Sequence, residues 1–110
     1  MGFLDWIFPE SQYSYISIND VPNYSEIKSG LVYDTAKSKL LSYKIWNFET
    51  AQLYAGLYKT KNGRFFKHQY NSLGSDITVV SQREAMEIYE KYSTKKLVEP
   101  TEIYPELKEA

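Results

Sequence analysis

Histidine occurs once in this 110-residue chain, at His68, and cysteine does not occur at all. A nucleophile–base pair of the serine-hydrolase kind would need His68 beside a serine. The sequence has no G-x-S-x-G turn to present one. Thiolate zinc sites, iron–sulfur clusters, disulfides and cysteine nucleophiles are excluded by composition. A multi-histidine metal site within one chain is excluded with them. Paired carboxylates for glycoside hydrolysis would need acids converging from strands. Residues 36–75 contain one acid, Glu49, while Glu84, Glu87 and Glu90 fall on a helical pattern where capping and solvation account for them. There is no Walker pattern, no phosphate-cradling glycine loop and no EF-hand. These residue types imply no enzyme, no cofactor and no metal, and His68 reads as a packing or hydrogen-bonding residue.

Binding chemistry is better represented. Residues 37–67 hold Lys37, Lys39, Lys44, Lys59, Lys61, Arg64 and Lys67 against Glu49 alone. Tyr43, Trp46, Tyr54, Tyr58, Phe65 and Phe66 are interleaved with them. Bases that hold phosphates and aromatic faces that stack on nucleobases are what single-strand binding requires. Tyrosine and tryptophan also dominate protein–protein hot spots, because they combine large contact area with a polar handle. Gly63-Arg64-Phe65-Phe66-Lys67 departs from the RNA-recognition strand motif, and the helix order of that fold is missing. The pI of about 5.8 also favours a protein partner over nucleic acid. The candidate contact surface is Trp46, Tyr54, Tyr58, Lys59, Lys61, Arg64, Phe66 and Lys67.

The net charge of −1 hides a segregation: −4 over residues 1–27, +6 over 28–96 and −3 over 97–110. Acidic ends folding over a basic body is the simpler reading of this pattern, and a basic surface kept for a partner is the sharper one. The longest apolar stretches fall far short of the ~20 residues that span a bilayer. The N-terminus has no basic residue before its apolar patch, so no secretory signal is expected. Met1-Gly2 begins like a myristoylation signal, but Trp6 stands where Ser or Thr is required. A soluble, cytoplasmic protein is expected, with no membrane partner.

The elements that must position these residues read as strands and one helix. Residues 3–8 suit a single helical turn docking its aromatics, ended by Pro9. Residues 12–18 read as a strand, and Asp20-Val21-Pro22-Asn23 as a turn. Leu31-Val32-Tyr33 and Leu40–Trp46 read as a hairpin joined by the polar stretch Asp34–Lys39. In that hairpin Leu41, Tyr43 and Ile45 share one face. Leu53–Thr60 and Arg64–Tyr70 form a second hairpin around Lys61-Asn62-Gly63. A two-residue turn would pair Tyr58 with Lys67. A three-residue loop with Gly63 in the left-handed region would pair Tyr58 with Phe66 and Tyr54 with Tyr70. The second register sets aromatics opposite aromatics and is preferred. One face then carries Tyr54, Tyr58, Phe66, His68 and Tyr70; the other carries Leu53, Ala55, Leu57, Phe65 and Lys67. Residues 71–76 read as a loop and Ile77–Val80 as a short strand. Ser81-Gln82-Arg83-Glu84 fits a capping box opening a helix to about Tyr92, with Ala85, Ile88, Tyr89 and Tyr92 on one stripe. Pro100 and Pro105 keep the acidic tail extended or turned, with fraying last residues.

The expected fold is α+β in one domain over 1–110: a mostly antiparallel sheet of about four to six strands, with one C-terminal helix (about 82–92) on one face. It divides into an N-terminal aromatic and acidic segment (1–29), a sheet-plus-helix body (30–92) and an extended acidic tail (93–110). The aliphatic side of the central hairpin suits the helix. The aromatic side needs cover from the N-terminal segment or from a partner.

The stretch Gly30-Leu31-Val32-Tyr33-Asp34-Thr35-Ala36, then Leu57-Tyr58-Lys59-Thr60 with Gly63 and Phe65-Phe66, then Ile77–Ser81 running into Glu84-Ala85, resembles a group of small bacterial proteins typical of phages, plasmids and integrated elements. Their pattern runs YDTxTA, LYxTxxGxFF, ITxLSxxEA; here Ala36 directly follows Thr35. The resemblance covers about residues 30–92 and rests on turn and cap signals. It implies no catalytic residues. It implies a compact accessory protein of a mobile element, a class that includes host-defence inhibitors such as anti-CRISPR proteins. The expected function is therefore inhibitory protein binding, with single-stranded nucleic-acid binding on the same surface as the alternative.

Overall fold

A computed structural model describes residues 17–47 and 52–107. The α+β reading holds. Among the described residues seven strands make two antiparallel sheets, and one α-helix follows the sixth strand. The strands are β1 (Ser25–Lys28), β2 (Leu31–Asp34), β3 (Lys39–Asn47), β4 (Gln52–Lys59), β5 (Phe65–Asn71), β6 (Gly74–Val80) and β7 (Lys95–Lys96). β1 and β2 form a separate two-stranded sheet; the others lie in the order β6-β5-β4-β3-β7. β3 to β6 are a meander. Helix α1 (Gln82–Glu87), continued by a π turn over Ile88–Tyr92, returns the chain to the opposite edge, where β7 pairs antiparallel with β3.

The β4–β5 register is the three-residue-loop register. Tyr58 lies opposite Phe66 and Tyr54 opposite Tyr70. Thr60 N–H donates to the Arg64 carbonyl at 2.8 Å, and Gly63 takes φ 83°. Only glycine adopts that conformation without a Cβ penalty. The two faces separate as expected. Leu41, Leu57, Phe65, Val80, Ala85, Tyr89 and Ile103 form the core on the helix side, and Tyr33, Tyr58, Phe66 and Ile77 the core on the other. Each fully buried aliphatic or aromatic side chain contributes roughly 1.5–3 kcal/mol.

The expected hairpin between Leu31–Tyr33 and Leu40–Trp46 does not form. β2 pairs backward with β1, Ile27 opposite Val32 and Glu26 opposite Tyr33. Ser29 and Gly30 both have positive φ, 53° and 77°, as a two-residue hairpin turn of the primed type requires. That turn closes a local hairpin. Asp34 then accepts from Ala36 N–H at 2.9 Å and turns the chain through a 3₁₀ segment, Thr35–Lys37, into β3. Tyr24 N–H bonds Thr35 Oγ1 at 2.9 Å and Thr35 N–H bonds the Tyr24 carbonyl at 3.0 Å, clamping the open end.

A bulge between Leu40 and Ser42 corrects a second expectation. It places Leu41 in the helix-side core, while Tyr43 and Ile45 lie opposite Gly56 and Tyr54 on the aromatic face. An extra residue in one strand breaks the strict alternation that put the three on one face. β6 also starts earlier than expected, at Gly74, because Asn71 Oδ1 accepts from Leu73 N–H at 2.8 Å and tightens the turn.

The capping box at α1 is present: Ser81 Oγ accepts from Glu84 N–H at 3.1 Å and Glu84 Oε1 from Ser81 N–H at 3.0 Å. Ala85 and Tyr89 are buried, but Tyr92 is 57% exposed. The wider π turn takes Tyr92 off the stripe that a 3.6-residue period would give. The acidic tail is a strap rather than an extended arm. Leu97 N–H bonds the Leu41 carbonyl at 2.9 Å, Tyr89 donates its hydroxyl to the Val98 carbonyl at 2.6 Å, and Ile103 is buried. Of the strand expected over 12–18, only Ser17 and Ile18 are described; Ser17 caps a 3₁₀ turn over Ile18–Asp20. The helical turn expected at 3–8 and the fraying end at 108–110 lie outside the described residues.

Gly56 lies between Tyr54 and Tyr58 on β4. A Cβ there would collide with the Tyr54 hydroxyl and come within 2.9 Å of Tyr58 Cε1. A strand glycine often marks this kind of close approach. Gly56→Ala should therefore lower stability by about 1–3 kcal/mol, the scale of overpacking. Urea denaturation checks it; an unchanged midpoint would contradict the close approach.

Candidate functional site

The structure divides the eight expected contact residues into three groups. Tyr54, Tyr58 and Phe66 are buried, at 0%, 7% and 0% exposure. As an exposed contact surface these three are corrected: Tyr58 and Phe66 pack with Tyr33 of β2, and Tyr54 packs among Tyr43, Tyr58 and His68. Tyr33 meets Phe66 edge-on at 5.6 Å, and Tyr24 stacks on His68 at 5.6 Å with an interplanar angle of 11°. The cover comes from both sides of the boundary between the expected N-terminal segment and the body. Tyr58 and Phe66 stack on each other at 5.2 Å.

His68 lies in the middle of this aromatic layer, fully buried. Its Nε2 is 2.9 Å from Ser75 Oγ, and its Nδ1 has no hydrogen-bond partner among the described residues. Across Gly56 the hydroxyls of Tyr54 and Tyr58 bond at 2.8 Å. Burial pushes both phenols above their ordinary value. Glu26 reaches the rim of the layer from β1. Its carboxylate accepts from Ile77 N–H at 3.0 Å on β6 and from the Tyr24 hydroxyl at 3.1 Å. Burial opposes its ionisation, but these bonds and the Lys28 ammonium prevail and hold it below the usual carboxylate range. A carboxylate on an edge-strand N–H also occupies a donor that another strand could otherwise pair with.

Trp46 and Lys67 form the second group, on the helix side. Both are half-buried and line a groove of about 400 Å³ between the sheet and α1, with Glu84, Glu87, Ile88 and Tyr92. Lys44 Nζ lies 4.8 Å from the Trp46 ring centre.

Lys59, Lys61 and Arg64 form the third group, at the end of the sheet holding the β4–β5 loop. Lys37 and Lys39 join them there, and Lys37, Lys39, Lys59 and Lys61 line one concavity of about 650 Å³. Lys59 and Arg64 line an adjoining one of about 440 Å³. Lys37 and Lys39 were visible as bases in the sequence. Their place here depends on the Asp34 cap, whose signal is a carboxylate two residues before Ala36. Glu102 was not anticipated. Its carboxylate bonds Lys39 Nζ at 2.9 Å, and its backbone carbonyl accepts from Lys59 Nζ at 2.9 Å. The Lys39 hydrogen bond holds the Glu102 carboxyl below its usual range. The acidic tail thus neutralises part of the basic body, and Lys37, Lys61 and Arg64 have no carboxylate within salt-bridge distance among the described residues.

Among the described residues no group of three His, Cys, Asp or Glu could hold a metal ion, and no helix is long and apolar enough to cross a membrane. Comparison with protein-family models, with curated proteins and with solved structures finds no match.

Two outcomes follow from the buried layer. Tyr58→Phe leaves the Tyr54 hydroxyl buried without its partner and should cost about 1–3 kcal/mol in denaturant unfolding. An unaltered midpoint would show that the hydroxyl pair contributes nothing. Burial also holds the His68 imidazole below its ordinary value, against the opposing pull of Asp76 and Glu26. The unfolded chain therefore takes up the proton first. Stability is full above the unfolded value, near ~6.5, and falls as pH drops toward the folded one. Unfolding at about pH 7.5 and about pH 5.5 should show lower stability at the lower pH. His68→Gln should flatten that difference, and a flat wild-type response would contradict a neutral buried imidazole.

Proposed function

We propose that this chain is a small non-enzymatic binding protein of the mobile-element type, whose partner is a host or phage protein held at the lysine-rich end of the sheet. Inhibition of a host-defence protein, as by anti-CRISPR proteins, is the role that the sequence resemblance suggests. The observation that carries the binding reading is the gathering of Lys37, Lys39, Lys59, Lys61 and Arg64 around two adjoining concavities, three of them without a carboxylate partner among the described residues. His68, the one imidazole, is engaged in the buried layer rather than at this end, which supports binding over catalysis. Exposed like charges create a field that speeds encounter with an acidic partner and weakens with salt.

The same bases favour a second reading, single-stranded nucleic-acid binding. Of the aromatics that would stack nucleobases, Tyr54, Tyr58, Phe65 and Phe66 are buried and Trp46 lies in the helix-side groove, so the protein reading is preferred. Lys61→Ala with Arg64→Ala should leave the unfolding free energy within the usual range for surface changes, about ±0.5 kcal/mol. It should weaken partner capture at least about tenfold, or 1.4 kcal/mol. Affinity capture before and after nuclease treatment checks this. Capture abolished by nuclease, with a steep salt slope on an oligonucleotide, would replace the protein reading with the nucleic-acid one.

A further inference from the structure

Glu102 is a carboxylate already bound in the basic concavity. It ends a 3₁₀ turn, Pro100–Glu102, that is anchored on both sides. Glu102 N–H bonds the Glu99 carbonyl at 3.0 Å, the neighbouring Ile103 side chain is buried, and Gln82 donates to the Ile103 carbonyl at 2.7 Å. The turn is held by its backbone and by Ile103, so the Glu102 carboxylate itself is free to exchange its partner. Its bond to Lys39 is an ion pair between side chains 56% and 36% exposed. Such pairs are weakly held in water. On the same concavity, Lys37 and Lys61 are exposed and have no carboxylate within salt-bridge distance among the described residues.

The lining favours one class of ligand. It contains four lysines and no aromatic ring among the described residues, and therefore no face for a nucleobase to stack on. Lysine acts as a compact point charge, matched by the carboxylate that already occupies Lys39. We propose that this concavity is a binding site for a Glu- or Asp-rich segment of a protein partner. Lys37 and Lys61 receive the partner's carboxylates, and Glu102 is a built-in competitor that the partner displaces from Lys39. This rests on the partner-binding reading above and adds the chemistry of the ligand and the means of its control.

The test uses the full chain, a fluorescently labelled glutamate homopeptide and a labelled single-stranded oligonucleotide, read by anisotropy at low salt. The peptide should bind the wild type. Glu102→Gln should tighten it several-fold, and Lys37→Ala with Lys61→Ala should weaken it about tenfold or more. Glu106→Gln removes the same charge from the same exposed tail outside the concavity and should change affinity much less. Melting curves confirm that each variant is folded. Equal tightening by Glu106→Gln, or none by Glu102→Gln, would overturn the competitor while leaving the partner-binding reading intact. Peptide binding that is absent, or indifferent to Lys37 and Lys61, would overturn the site. Tighter binding of the oligonucleotide than of the peptide would overturn the ligand class. The partner-binding reading fails separately, on nuclease-sensitive capture.

Discussion

The hydrogen bond from Thr60 N–H to the Arg64 carbonyl, closed over Gly63 at φ 83°, sets the register of β4 against β5. A slip of one residue would carry every side chain of one strand to the other face. With this register Tyr54, Tyr58, Phe66 and His68 form one layer, and Leu57 and Phe65 face the helix. The two cores, the seat of the β1–β2 hairpin and the position of the lysines beside the loop all depend on it. Gly56 extends the same constraint. Without a Cβ it lets the Tyr54 hydroxyl cross the strand to Tyr58, so the layer packs with its phenols bonded to each other.

Burying that layer determines what remains available to a partner. Aromatics that could have made an exposed platform are held under Tyr24 and Tyr33. The lysines at this end are exposed, as Lys37 and Lys61 are, or bonded to a polar group, as Lys59 is to the Glu102 carbonyl, because an unpaired charge is far more costly to bury than a ring. The surface at this end is therefore basic without being aromatic. Trp46 and Lys67 lie on the helix side of the sheet, line a groove with Glu84 and Glu87 and belong to a different environment.

The charge segregation along the chain becomes local compensation in space. Glu26 reaches β6 and Lys28, and the Glu102 carboxylate reaches Lys39. Both acids come from the flanks of the basic body. The compensation is partial: Lys39 sits beside Lys37 and Lys61, which have no such partner among the described residues.

Local signals were legible where one short segment determines the outcome. The capping box at Ser81–Glu84, the glycine loop at Gly63 and the pairing of Tyr58 with Phe66 depend on residues a few positions apart, and each was read from the sequence. Gly56, and the Ser29-Gly30 turn that makes β2 pair backward, were also local signals, but their consequences were not drawn. The bulge at Leu41, the π turn that exposes Tyr92 and the docking of the tail through Ile103 depend on contacts between distant segments. By itself the sequence determined the α+β class, the helix start and which residues share each face of the central hairpin, since periodicity and turn chemistry are properties of neighbouring residues. Only the tertiary structure decided which segments cover each face. The sheet has two apolar sides, and burial goes to whichever segments can reach each side and satisfy their own hydrogen bonds there. That choice turned tyrosines expected at the surface into core and left the lysines as the exposed end.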